Sequence, residues 1–249
     1  MKKILPLLLV LALLASPALA DPLTLRDDLA EKISEPINPD DLSEGVFSFS
    51  YRYPYVDEKA EGGANINQFY ADLINEQEFY IEIARDAFFG ESRTDITYTV
   101  TCNNDDYFSV LIRKEEINPD MTRVSWTGNV FSRKHGANGK SYSLPKLLGI
   151  LDPDENDETI QDYKTEKVDK TIRDMIWNMI EENESGIDYG DLTEEALSHI
   201  FFPEEDFYLD DNGEPVFYLQ PVDVYYDEVP DGTELLIFPI TMEEIQDEL

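Results

Sequence analysis

A single cysteine, two histidines and only 19 lysines and arginines in 249 residues close off several classes of function. Cys102 stands alone, which excludes an intramolecular disulfide framework and any multi-cysteine zinc or iron–sulfur site. His135 and His199 lie in unrelated contexts, and no HExxH or other close metal-ligand pair occurs. Against the 19 basic residues stand 54 aspartates and glutamates, a formal charge of −35 and a pI near 4.1. Such a surface repels phosphate over any approach within a Debye length, so nucleic acid is excluded as the natural partner and anionic membranes are disfavoured. The chain also lacks a GxSxG elbow to present a serine nucleophile, and a GxGxxG or Walker loop to cradle phosphates. No cofactor is expected.

What the chain does carry is apolar and aromatic material. Hydrophobic residues make up 42%, with 14 Tyr and 13 Phe, too much for an acidic disordered tail because these rings bury enough area to offset chain entropy. Residues 1–20 have the layout of a cleavable secretory signal: Lys2-Lys3, an apolar run from Ile4 to Ala15, and small residues at Ala18 and Ala20. That run is shorter than the ~20 residues of a membrane span, so the mature chain is expected outside the cytoplasm, secreted or wall-associated, with no membrane span after cleavage. Residues 21–45, rich in acids and proline, read as a spacer with one or two helical turns at Leu25–Ile33.

From Val46 the pattern alternates: Phe47, Phe49, Tyr51 and Tyr53 predict a half-buried strand ended by Pro54. Phe69, Tyr70, Leu73, Ile74, Tyr80, Ile81, Ala84 and Phe88 recur at helical spacing over 64–89, with Asn65 or Asn67 as the cap. Strands are predicted over 95–102, 107–113 and 122–131, joined by Asn/Asp/Pro turns into an antiparallel meander. Cys102 continues the alternation of Ile96, Tyr98 and Val100 and reads as a small buried strand residue. After a turn at 135–140 and a short helical segment at 144–148, a long helix spans about 159–182. Its expected buried stripe is Tyr163, Val168, Ile172, Met175, Ile176, Met179 and Ile180, and Ser185-Gly186 are expected to stop it. A helix over 192–200, begun by Asp191 or Thr193, precedes strands at 206–209 and 216–220 around Asn212-Gly213, a tight hairpin signal. A last strand, 234–240, leads to an amphipathic end. The order β-α-βββ-α-α-βββ gives an α+β fold of mainly antiparallel sheets with packed helices, with a smaller part at 46–131 and a C-terminal part at 132–249.

Chemistry is sparser. A glycoside hydrolase needs only two carboxylates ~5–10 Å apart, but 54 acids make that signal uninformative. Asp152, Asp154 and Asn156 resemble the start of a calcium loop. The sixth position is Asp157 where glycine is required and the twelfth is Tyr163 where a bidentate Glu belongs, so no metal site is expected. The acids there also suit the positive end of the helix that follows. Near the C-terminus Tyr218, Asp223, Tyr225, Tyr226 and Asp227 pair aromatic bodies with charge, as binding surfaces do; one sheet's core and rim would show the same pattern.

Several of these segments resemble the RsiV-like extracytoplasmic domain family. The likeness is carried by Phe207-Tyr208-Leu209-Asp210-Asp211-Asn212-Gly213, by Val216-Phe217-Tyr218-Leu219-Gln220-Pro221, by Asp231-Gly232 and by the closing Ile237-Phe238-Pro239-Ile240. Gly139-Lys140 with Leu144 and Leu147-Leu148 is similar to its step from strand into helix, and the first half, from Tyr51-Arg52-Tyr53-Pro54 through the meander, to the module preceding it. Phe131-Ser132-Arg133-Lys134-His135 departs from the Phe-Asp pair many members have before Gly-Lys. The resemblance implies a sensor-type domain: members serve membrane-bound anti-sigma factors that bind lysozyme, or precede peptidoglycan deacetylase domains. Neither a sigma-binding part nor a catalytic domain is expected in this chain. The expectation is a non-catalytic secreted module, not an enzyme, that binds a cationic protein such as lysozyme or cell-wall peptidoglycan. A carboxylate-dependent wall hydrolase and a structural surface protein are the alternatives.

Overall fold

The computed structural model describes residues 22–25, 30–36, 45–85, 91–134, 139–152, 154–155, 157–183, 187–225 and 235–249. The expected leader, His135 and the Ser185-Gly186 stop lie outside them. Alternating rings build β2 (Val46–Arg52). Phe47, Phe49, Tyr51 and Tyr53 are all buried, and successive ring centroids lie 6.5, 6.0 and 6.1 Å apart. The row continues from Tyr53 to Tyr70 at 5.7 Å and from Tyr70 to Phe131 at 5.8 Å, joining strand, helix and sheet in one aromatic core. Tyr70 belongs to α1 (Gly63–Arg85). Asn67 does not cap that helix. Its amide instead accepts from Val56 N–H and donates to Val56 C=O, both at 2.9 Å.

The predicted meander is present and longer than expected, as β3 (Ser92–Asn103), β4 (Tyr107–Asn118) and β5 (Met121–Ser132). Among the described strands the antiparallel rule is broken once: β2 runs parallel to β3, because the chain between them crosses over through α1. Two further strands complete a six-stranded sheet in the order β1-β2-β3-β4-β5-β6, with β1 at Ala30–Pro36 and β6 at Lys140–Ser141. The expected spacer with a helical turn therefore contributes an edge strand, paired antiparallel with β2. Leu23, also within it, is buried and pairs its backbone with the Asn103 amide at 2.8 and 2.9 Å.

Phe108, Val110, Ile112, Ile96 and Phe131 pack with the aromatic row in one core, while Tyr107 and Val130 belong to a second core formed with the C-terminal half. Cys102 is buried as expected, but in the second core and not with Ile96, Tyr98 and Val100. A bulge between Val100 and Cys102 places two residues opposite Ser109 and reverses the alternation. Burial, then the Asp210 charge, push its thiol up to about 11, the behaviour of an inert structural cysteine.

The C-terminal half adds α2 (Leu144–Leu147), α3 (Glu158–Glu182), α4 (Glu194–Ile200), α5 (Pro221–Val224), α6 (Met242–Glu248) and a three-stranded antiparallel sheet of β7 (Phe207–Leu209), β8 (Pro215–Leu219) and β9 (Leu236–Pro239). The fold is α+β, as the order of predicted elements indicates. The buried stripe of α3 is Val168, Ile172, Ile176 and Ile180, a strict i, i+4 row. Tyr163, 69% exposed, and Met179, 39% exposed, fall off it. Asn183, at φ 45°, ends the helix by donating to Ile180 and Met179 C=O, a left-handed stop earlier than the expected Ser185-Gly186. Ile172→Ala should therefore cost about 2–5 kcal/mol in urea unfolding, whereas Tyr163→Ala should stay within ~0.5 kcal/mol. No helix among the described residues is long and apolar enough to cross a membrane.

Candidate functional site

The β7–β8 hairpin is drawn onto β5 by side chains that replace a missing strand partner. Gln220 accepts from Trp126 N–H at 3.0 Å and donates to Trp126 C=O at 2.7 Å. Two residues on, Gly128 N–H donates to the Tyr218 hydroxyl at 2.9 Å, and that hydroxyl donates to Glu205 C=O at 3.3 Å. Gly128 has no side chain for a reason: a Cβ there would sit 1.8 Å from Phe207 C=O. These contacts leave a cavity of about 340 Å³ between strand and hairpin. Arg123 and Trp126 from β5 line one wall, His199 and Phe202 at the end of α4 another, and Glu205, Asp206 and Asp223 bring carboxylates.

The loop before β7 fixes those acids. Asp206 accepts from Phe202 N–H at 2.8 Å through its carboxylate and donates to Phe202 C=O at 2.8 Å through its own N–H. Burial, reinforced by the Glu205 and Asp223 charges and opposed by the Phe202 N–H, pushes Asp206 up to about 7. Asp223 is also raised by burial, with Arg123 pulling the other way. Phe202 remains 48% exposed. An aromatic surface bordered by three carboxylates with one arginine among them suits a cationic group: carboxylates supply charge and the ring faces supply cation–π attraction. A carboxyl held near neutrality can also give or take a proton.

Of the predicted binding residues, Asp223 lines this groove and Tyr218 forms its wall. Tyr218 is fully buried with its hydroxyl committed to Gly128 and Glu205, so it holds the groove together and does not face a ligand. Tyr225 lies elsewhere, donating to Asp188 C=O at 2.6 Å. Tyr226 and Asp227 lie outside the described residues, as does Asn156. Asp152 accepts from Asp154 N–H at 2.9 Å, and Asp157 caps α3 by accepting from Thr159 and Ile160 N–H, so this acidic run shapes a helix entrance. Among the described residues no group of three His, Cys, Asp or Glu side chains could hold a metal. Arg133 and Lys134, where the family motif departs, are committed internally. Arg133 is buried and donates to Asn104 C=O, and Lys134 donates to the Tyr107 hydroxyl at 2.7 Å with its ammonium 4.7 Å from that ring's centre.

No protein-family model and no curated protein matches the sequence. Solved structures do. A DUF3298-family protein from Bacteroides fragilis superposes with a TM-score of 0.52 at 14% identity, covering 90% of this chain and 92% of that one. One from Pseudomonas aeruginosa gives 0.51 at 10% identity, covering 91% and 94%. The fold is that of DUF3298 proteins. It extends over both cores, since either alignment takes in about nine-tenths of the chain. The likeness is to DUF3298 proteins in general, with nothing in it specific to RsiV-like sensors. Trp126, Phe202 and Asp206, which the sequence reading passed over, come together only in this three-dimensional arrangement.

Proposed function

We propose that this chain is an exported, non-catalytic module that binds a cationic protein, with lysozyme the first candidate, by receiving a basic side chain in the groove beside Trp126. The observation that carries this reading is the grouping of Glu205, Asp206 and Asp223 around the Trp126 and Phe202 rings. The charge of −35, or −37 once Lys2 and Lys3 leave with the leader, speeds encounter with such a partner. A peptidoglycan ligand is the alternative occupant.

Titration with lysozyme and with an unrelated cationic protein of equal charge, by calorimetry at low salt and at 0.15 M, tests it. Saturable one-to-one binding to lysozyme alone, surviving 0.15 M salt and weakened about tenfold or more by Asp223→Asn, is the expected result. Equal binding of both proteins, lost with salt, would overturn it. The raised Asp206 favours a second reading, a wall hydrolase with Asp206 as its acid. Peptidoglycan turnover abolished by Asp206→Asn would establish that reading in place of the first.

A further inference from the structure

From Ser132 back to Trp126 the outward edge of β5 is covered one rung at a time. Gly139 N–H donates to Ser132 C=O at 2.9 Å and Tyr142 N–H to Val130 C=O at 3.0 Å. The Asn129 amide donates to Gly128 C=O at 3.0 Å, the Tyr218 hydroxyl accepts from Gly128 N–H at 2.9 Å, and the Gln220 amide meets both backbone groups of Trp126. The cover stops there. Backbone direction alternates along a strand, so Val124 and Thr122, which stand opposite Glu115 and Ile117 of β4, turn their N–H and C=O groups to the same outward side as Trp126. Among the described residues nothing takes up those groups, and Met121, Thr122 and Arg123 are exposed.

An edge with two open rungs is a template for one more strand. The Gln220 amide shows the form such an addition takes. By accepting from Trp126 N–H and donating to Trp126 C=O, it occupies the place of a residue in a hydrogen-bonded antiparallel pair, and the next such places along the edge are opposite Val124 and then Thr122. Val124 shares a face with Trp126, so a residue opposite Val124 carries its side chain on the side of the groove. Three carboxylates stand there, of which Arg123 offsets one. The total charge of −35 works against an acidic segment and against a second copy of this chain. We propose that the open edge of β5 receives an extended lysine- or arginine-bearing segment of the partner as an added antiparallel strand, paired to Val124 and Thr122. Such pairing rests on the groove being a seat for a basic side chain, and adds that the partner is gripped by its backbone.

A capped hexapeptide of alternating valine and lysine, titrated into the isotope-labelled full chain and followed by NMR, tests this. Before it is added, the Thr122 and Val124 amides should exchange with solvent about tenfold or more faster than those of Ser125 and Thr127, which face β4. Slow exchange would mean that the edge is already covered, and shifts of the same amides with protein concentration would give it to a second copy; either overturns the proposal. Saturable binding should then shift the Thr122 and Val124 amides downfield, and no binding at millimolar peptide would sink it. Methylating the peptide's backbone nitrogens at lysine should weaken binding about tenfold or more. Methylation at valine should not, because charge and side chains are unchanged and only one backbone edge faces β5. Both forms binding alike would remove the strand. Val124→Pro takes away one donor at an edge position that tolerates proline and should weaken the unmethylated peptide; the methylated peptides decide the matter on the wild type if that variant does not fold. Asp223→Asn separates the two readings. Weakening by Asp223→Asn without any response to methylation keeps the groove and overturns the strand, whereas a response to methylation alone supports the strand and overturns the groove as the seat of the basic side chain.

Discussion

Gly128→Val is expected to lower the unfolding free energy by about 4 kcal/mol or more and to shift the urea midpoint sharply downward. The Cβ would meet the backbone carbonyl of Phe207 at 1.8 Å, and neither partner can yield: Gly128 is paired across to Leu111 in the central sheet and Phe207 to Phe217 in the small one. Separating the sheets would also break the Gly128–Tyr218 bond and leave buried groups without partners, each worth about 1–3 kcal/mol. Together with the overpacking itself this comes to about 4 kcal/mol or more, a large share of the 5–15 kcal/mol typical of a folded domain. Circular dichroism in a urea series measures it. A midpoint within experimental error of the wild type would show that the seam between the sheets is far more plastic than this contact allows.

Acidification from pH 8 to pH 5 should raise the melting temperature, the reverse of ordinary acid sensitivity. Asp206 and Glu204 are raised to about 7 and Asp169 to about 6, from ordinary values of 3.8, 4.5 and 3.8. Between those limits the native chain holds protons that the unfolded chain has released, so stability falls as pH rises. The contribution is fully present below the ordinary carboxylate values and is gone above about pH 7. Relief of self-repulsion in a chain of charge −35 acts in the same direction. Each kcal/mol gained is worth about 2–4 °C at this chain length, so a rise of about 5 °C or more is expected in a calorimetric scan. Asp206→Asn, which has no proton to take up, should flatten part of that slope. A melting temperature that falls steadily from pH 8 to pH 5 would contradict the burial of these groups.

Local pattern made the element types legible. Phe47, Phe49, Tyr51 and Tyr53 alternate because every second side chain of a strand shares a face, and the observed burial follows them. The parallel β2–β3 pairing was not legible, because nothing in either strand records which neighbour it takes once a helix intervenes. The Cys102 bulge escaped for a related reason: alternation counts residues, and one extra residue reverses every face beyond it. On α3, hydrophobicity admitted Tyr163 and Met179 to the buried stripe, whereas packing selected the four β-branched residues Val168, Ile172, Ile176 and Ile180. The groove was the least readable part. Asp206 is one acid among many, and its distinction is desolvation by a loop that folds back on Phe202. Asp223 was singled out beside Tyr225, whose hydroxyl goes to Asp188 instead, and Trp126 was legible only as part of the strand predicted over 122–131.

The parallel β2–β3 pairing also orders the assembly of the molecule. β3, β4 and β5 are joined by tight turns in which Asn104 accepts from Asp106 and Tyr107 N–H and Asn118 accepts from Asp120 N–H, so their closure entropy is small. The register of β2 against β3 has to wait for a crossover that includes all of α1, and the hairpin on β5 joins residues some ninety positions apart. Such long-range closures slow folding. The meander is thus the natural nucleus, and the groove, which needs the hairpin docked on β5, is among the last features to form.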